Sequence, residues 1–202
     1  MSNVDEVIAL VTKEPKQDGG DFRGFDLKGI SLNGASFIFA TVAEVIMDES
    51  QLLDIDFSQA NLEKSSMKNA KIKSVNFSGS NLEEVNFEGA TLISCNFKNT
   101  NLSRCDFSEA KLSECDFQGA NLNHSSFYSS TIDNSNLGFA RMMYAFMKQT
   151  VINKSRLGGV NARGSDFSFS KLTDVALKGA TLKYADLNSC TLKEVDLTGA
   201  NL

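Results

Sequence analysis

A large apolar residue returns at every fifth position of this chain, from Phe22 to Leu202, with no residue inserted or deleted. The thirty-seven centre positions are Leu, Phe, Ile, Met or Val, with Ala162 the one exception. Two residues before each centre sits a small or β-branched residue, as Val75, Ser80, Val85, Ala90, Cys95 and Thr100 precede Phe77, Leu82, Phe87, Leu92, Phe97 and Leu102. A fixed period of this kind belongs to stacked-repeat architectures. Five is neither the period of about 3.6 of a helix nor the period of about 2 of an ordinary strand.

The period has a physical reading. The centre and the residue two before it point inward, and the three residues between are mostly Asn, Asp, Ser, Thr, Gly, Lys and Glu, which must face water. One short bridge followed by a turn, repeated, gives a coil. If four units close one coil, residues twenty apart stack. Phe37, Phe57, Phe77, Phe97 and Phe117 then form one wall, and Phe87, Phe107 and Phe127 the opposite one. Leu62, Leu82, Leu102 and Leu122 fill a third wall, and Leu52, Ile72, Leu92 and Leu112 the fourth. Each column keeps similar side chains over several coils, as close packing of stacked layers demands.

The units Ala60-Asn61-Leu62, Ala120-Asn121-Leu122, Cys115-Asp116-Phe117, Ala185-Asp186-Leu187 and Ala200-Asn201-Leu202 resemble the pentapeptide-repeat family, whose motif is A(D/N)LxX. The resemblance spans about nine-tenths of the chain. It implies an all-β fold, a right-handed quadrilateral parallel β-helix of about nine coils. At about 4.8 Å per coil such a rod is roughly 43 Å long.

Residues 3–12, NVDEVIALVT, read as a short amphipathic helix with Val4, Val7, Ile8 and Val11 on one face. Ser2 or Asn3 caps it, and Asp5 and Glu6 lie in its first turn. The expected organisation is a capping helix and linker over residues 1–20, covering the open first coil, and the β-helix over 21–202. Residues 22–57 are the least regular stretch. Phe25 and Ile30 are large for the small inward slot, and Ile38, Phe39, Ile46 and Leu53 fall on outward positions. Residues 40–53 read as a coil, with a helical turn or loop that preserves the count as the alternative. Gly79, Gly119, Gly159, Gly179 and Gly199 share one corner column, which suggests turns of positive φ.

Charge and cysteine usage bound the function. The net charge of −5 is unevenly placed: residues 22–116 carry fourteen acids and nine bases, and residues 117–202 six acids and nine bases. Cys95, Cys105, Cys115 and Cys190 all occupy the small inward position, which reads as buried small hydrophobes rather than disulfides or metal ligands. No apolar run is long enough for a membrane span and Met1–Gly20 has no signal-peptide pattern, so a cytoplasmic protein without membrane contact is expected. The single histidine, His124, sits on an outward position beside Arg104 and Tyr144. It lacks a second histidine or an outward cysteine for a zinc site. No glycine-rich phosphate loop is present, and no cofactor and no catalytic activity are expected.

Two functional readings remain. The first is a non-catalytic interaction or scaffold rod. Residues 139–151 break the surface rule, because Phe139, Met143, Tyr144, Phe146 and Val151 fall where water should be and Arg141 replaces the usual Asn or Asp. With Tyr128 one coil below, they form the candidate contact patch; the alternative is a bulge that turns some of them inward. The second reading follows from the resemblance, since some members protect DNA gyrase from quinolones by mimicking DNA. A DNA-mimicking binder of a type II topoisomerase needs a row of acids in place of phosphates. The candidates are Asp56, Glu63, Glu83, Glu84, Glu88, Asp106, Glu109 and Asp116. Direct nucleic-acid binding is not expected, because no dense basic stripe is visible. Nothing follows Leu202 to cover the last coil, so either two copies meet there or the natural chain continues; the resemblance implies the homodimer.

Overall fold

The computed structural model describes residues 3–202. Helix α1 (Asn3–Lys13) precedes nine short strands. These are β1 (Ser31–Asn33), β2 (Gln51–Leu53), β3 (Lys71–Lys73), β4 (Thr91–Ile93), β5 (Lys111–Ser113), β6 (Thr131–Asp133), β7 (Val151–Asn153), β8 (Lys171–Ala176) and β9 (Thr191–Asp196). They pair in sequence order as one parallel sheet, always in a register of twenty residues, as Ser31 with Gln51 and Leu52 with Ile72. The other three walls are ladders of single-residue bridges in the same register, such as Asn61 with Asn81, Asn86 with Asp106 and Asn76 with Asn96, except where β8 and β9 run on to pair Val175 with Val195 and Ala176 with Asp196 at the end of the fourth wall. The chain is thus a four-sided parallel β-solenoid. We number its walls by residue position within a coil: the first at 21–23, the second at 26–28, the third at 31–33 and the fourth at 36–38, each recurring every twenty residues.

One side-chain bond accompanies most of the short bridges. On the first, second and fourth walls the residue before the centre is usually Asn or Asp. Its Oδ1 accepts the N–H of the residue after the centre, as from Ser58 to Asp56 at 2.8 Å and from Glu88 to Asn86 at 2.8 Å. This Asx geometry bends the chain into the next corner. On the third wall the equivalent positions are Ser31, Gln51, Lys71, Thr91, Lys111, Thr131, Val151, Lys171 and Thr191. None is Asn or Asp, and there the ladder runs at least three residues and forms the strands. Asparagines also bond along the axis: Asn81, Asn101 and Asn121 each donate Nδ2–H to the Oδ1 one coil below, at 3.2, 2.9 and 3.0 Å.

The core follows the columns. Phe77, Phe97 and Phe117 stack on the fourth wall with ring centroids 4.9 and 4.6 Å apart, and Phe87, Phe107 and Phe127 on the second at 4.9 and 4.8 Å. The two stacks meet edge to face across the interior, as Phe107 and Phe117 do at 6.1 Å and 85°. Both geometries suit the quadrupoles of the rings. Residues 40–53 are a regular coil, with Val42, Val45, Met47 and Leu52 buried. Ile30 is fully buried, and Phe25 packs partly buried at the edge of the first coil. In α1, Val7 and Val11 are buried and Val4 packs partly against the core, but Ile8 is exposed. The apolar stripe is narrower than the sequence suggests, because Ile8 lies one residue, about 100°, around the helix from Val7. Cys95, Cys105 and Cys115 are buried, Cys190 is half-buried and all four are free. No helix among the described residues is long and apolar enough to cross a membrane.

Corners are left-handed throughout. Gly79 and Gly119 have φ of 66° and 69°, as their shared column suggests, yet Glu84, Phe39 and Tyr144 adopt 61°, 58° and 57° at equivalent corners. Removing one ring from the middle of a stack opens a cavity with few means of collapse. Phe97→Ala is expected to lower the unfolding free energy by about 3–5 kcal/mol. Phe39→Gly, at a strained and exposed corner, is expected to cost less than about 1 kcal/mol or to stabilise. Urea unfolding followed by circular dichroism measures both.

Candidate functional site

The segment 139–151 stays in register, because Arg141, Phe146 and Val151 donate their N–H groups to the carbonyls of Ala120, Ser125 and Ser130 at 2.9, 2.8 and 2.9 Å. No bulge turns its side chains inward. Phe139 is 69 % exposed, Tyr144 55 % and Phe146 43 %. Met143 and Val151 are half-buried. Column positions, however, spread these residues around the rod. Phe139 stands at the corner of the fourth and first walls, Arg141 and Met143 on the first, Tyr144 at the corner of the first and second, Phe146 and Tyr128 on the second, and Val151 on the third. The structure brings together Tyr128 with Phe146, at 6.2 Å, and His124 with Tyr144, stacked at 5.3 Å and 16°. It does not bring Phe139 or Val151 to either pair.

Seen by wall rather than by segment, a different surface emerges. From residue 101 upward, the first wall and its corner with the second carry Arg104, Arg141, Arg163 and Lys183 and no acid at all. His124, Met143, Tyr144 and Tyr184 lie among them. The Arg163 guanidinium sits 5.2 Å from the Tyr184 ring centroid and Lys183 Nζ 5.0 Å from it, in cation–π reach. Arg104 spans to Glu83 and Glu84 below, at 3.5 and 3.4 Å. Arg141, Arg163 and Lys183 form no ion pair among the described residues. Reading along the chain missed Arg163, Lys183 and Tyr184, because they are separated by regular repeats; folding the sequence into columns of twenty finds them.

The aromatic corners carry a second signal. Tyr144 and Tyr184 have φ of 57° and 63°, a region bulky side chains rarely adopt. A Cβ on Gly164 would fall 2.7 Å from Tyr144 Cε1, so the ring lies flat along the corner above it. Bulky rings that cost backbone strain and remain in water do little for the fold. The φ is shared by every corner of the rod, so it is the exposure of these two rings that marks them as contact candidates.

The acids behave differently. Glu63 and Glu83 lie on the first wall, Glu84 at its corner, Glu88 and Asp106 on the second, Glu109 at the next corner, and Asp56 and Asp116 on the fourth. They therefore do not line one face. Several are already engaged: Glu63 by Lys64, Glu83 and Glu84 by Arg104, Glu88 by Lys68 and Asp116 by Lys98. Asp106 takes the Ser108 N–H, and Asp56 the amides of Ser58 and Asn76. Among the described residues no group of three or more His, Cys, Asp and Glu is placed to hold a metal. The Cys105 thiol is pushed well above its ordinary value by burial. Cys115 is raised by its hydrogen bond to Cys95 and by burial.

A family model described as a pentapeptide repeat region matches residues 70–142, and a second, described as pentapeptide repeats (8 copies), matches residues 47–79 and 170–202. Among solved structures the chain is similar to HetL, a pentapeptide repeat protein involved in heterocyst differentiation regulation from the cyanobacterium Nostoc sp. strain PCC 7120. The TM-score is 0.51 at 21% identity, over 99% of this chain and 96% of HetL. It is also similar to a trypsin-treated variant of QnrB1, a plasmid-mediated fluoroquinolone resistance protein. There the TM-score is 0.51 at 17% identity, over 93% of this chain and 88% of that one. At these identities the likeness is one of fold. None of the curated proteins matches the sequence.

Buried neutral thiols are poor nucleophiles. A thiol-reactive chromogen at neutral pH should label Cys190 in the folded protein and reach Cys95, Cys105 and Cys115 only on unfolding. Equal labelling of all four without denaturant would contradict the burial of Cys95, Cys105 and Cys115.

Proposed function

Because the chain belongs to the pentapeptide-repeat family, whose repeat is a code for packing the core, we propose that its function resides in the outward residues of one wall. The protein is a non-catalytic interaction rod. Its first wall, from Arg104 upward, docks an acidic surface of another protein. The observation that carries this reading is the absence of any acid on that wall above Glu84, in a protein of net charge −5. Exposed Tyr and Arg are the residues that dominate interface energies. The three cations without ion-pair partners, Arg141, Arg163 and Lys183, speed and orient the approach of an acidic partner. The backbone that carries them is held by coils bonded above and below, so only the side chains need ordering on binding.

This reading is preferred to a DNA-mimicking binder of a type II topoisomerase, because the acids are distributed over three walls and largely paired within the rod. Free, mostly buried cysteines suit a reducing compartment, which makes the cytoplasm the expected setting.

The test is affinity capture with the wild-type protein, an Arg141→Glu, Arg163→Glu variant and a Lys171→Glu control on the third wall. Wild type and control should capture the same acidic partner, and raising the salt should weaken the capture. The wall variant should lose at least about tenfold in affinity. Retention of the partner by the wall variant, or a partner without an acidic surface, overturns the reading.

A further inference from the structure

The fourth wall breaks its own hydrogen-bonding rule at two consecutive coils. From the second coil to the sixth, counting the coil of β1 as the first, the residue after the centre donates its N–H to the Asn or Asp two residues earlier. Ser58 bonds Asp56 at 2.8 Å, Ser78 Asn76 at 3.2 Å, Lys98 Asn96 at 3.1 Å, Gln118 Asp116 at 3.0 Å and Gly138 Asn136 at 3.1 Å. Thr198 resumes the pattern with Asp196 at 2.9 Å. Between them the acceptor positions hold Arg156 and Ala176. Among the described residues nothing accepts the N–H of Gly158 or of Lys178. Lost acceptors elsewhere, as at Ile46 and Phe146 on the second wall, are single, and at Arg141 the neighbouring Asn123 supplies the oxygen for Met143. Here two outward amides stand one above the other, about 4.8 Å apart.

Gly158 and Lys178 line an open hollow of about 480 Å³ together with Arg156, Phe139, Gly138 and Gly159. Neither Arg156 nor Lys178 has an ion-pair partner. The Phe139 ring lies against Gly159, where a Cβ would fall 2.6 Å from its Cε1 at a φ of 66°. The ring thus walls the hollow only because that corner is glycine. The nearest acid above, Asp196, is engaged by both the amide and the hydroxyl of Thr198.

We propose that this hollow is a binding site for an organic carboxylate whose apolar body rests on Phe139 and the glycine floor. The protein itself supplies the template, because on the same wall carboxyl and carboxamide oxygens occupy the equivalent position in five successive coils. A carboxylate entering at coils seven and eight completes the column. It accepts from the Gly158 and Lys178 amides and is neutralised by Arg156 and Lys178. Outward N–H groups without an internal acceptor are donors open to an external anion. The carboxylate comes either from an acidic side chain of a partner polypeptide or from a free aromatic acid. The site goes beyond the reading of the first wall and uses other residues.

The experiment follows backbone amide resonances during titration with acetyl-Phe-Glu-amide, its Gln counterpart, phenylacetate and inorganic phosphate. The Gly158 and Lys178 amides should shift together on adding the Glu dipeptide, and the Gln dipeptide should bind at least about tenfold more weakly. Phenylacetate binding as well as the dipeptide identifies a free acid as the source, and dipeptide binding alone identifies a polypeptide. Both support the site. An Arg156→Asp, Ala176→Asp variant restores the internal acceptors, so it should fold and yet show no shift. Absence of shifts in the wild type, equal shifts in that variant, or preference for phosphate overturns the proposal. The first-wall variants decide the earlier reading separately, since Arg141 and Arg163 take no part here.

Discussion

In this rod the centre residue, the residue before it and the corner residue commit their amides, on the first, second and fourth walls, to a carbonyl nineteen or twenty-one residues away. Phe37 donates to Asp56 and Ser36 to Pro15, at 2.7 and 2.8 Å, and the same steps recur to the last coils. Everything else depends on that stacking. It requires each coil to contain the same number of residues, because one inserted residue would move every later side chain to the wrong side of the wall. It also makes the neighbours of any side chain the residues twenty before and twenty after. A phenylalanine therefore stacks on a phenylalanine and an asparagine bonds to an asparagine. Stability is accordingly a sum over adjacent coils rather than the property of one large core.

The inward half of this arrangement was legible in the sequence. The centres and the small residues before them keep their period without a slip, and burial follows them from Phe22 to Leu182. Even the irregular stretch at 40–53 obeys the register, since the constraint is backbone pairing and tolerates Val45 or Met47 inside. The helix was legible in position but not in facing. Ile8 looks like a core residue on a helical wheel, yet only Val7 and Val11 reach the narrow first coil deeply.

The outward half was less legible, for a geometric reason. A chain read linearly groups Phe139, Tyr144, Phe146 and Val151, but the coil distributes them around the rod. Surface neighbours are twenty apart, so Arg141, Arg163 and Lys183 belong together although ordinary repeats separate them. The role of the residue before the centre was hidden more deeply. Arg141, Arg156 and Ala176 are visible as departures from Asn or Asp. That the first is rescued by Asn123 while the other two leave amides without acceptors is apparent only once the hydrogen bonds are known.

The uneven charge along the axis has a consequence beyond any single contact. With acids in excess below residue 117 and bases in excess above it, the rod is a long electric dipole whose moment lies along its axis. A charged body diffusing toward it experiences a torque before it experiences a surface, and the slender rod turns about its short axes in response. An acidic partner meets the upper coils first, at a distance set by the Debye length of about 8 Å in physiological salt. Orientation is thereby settled during approach, and the rigid walls are left to discriminate among partners that arrive already aligned.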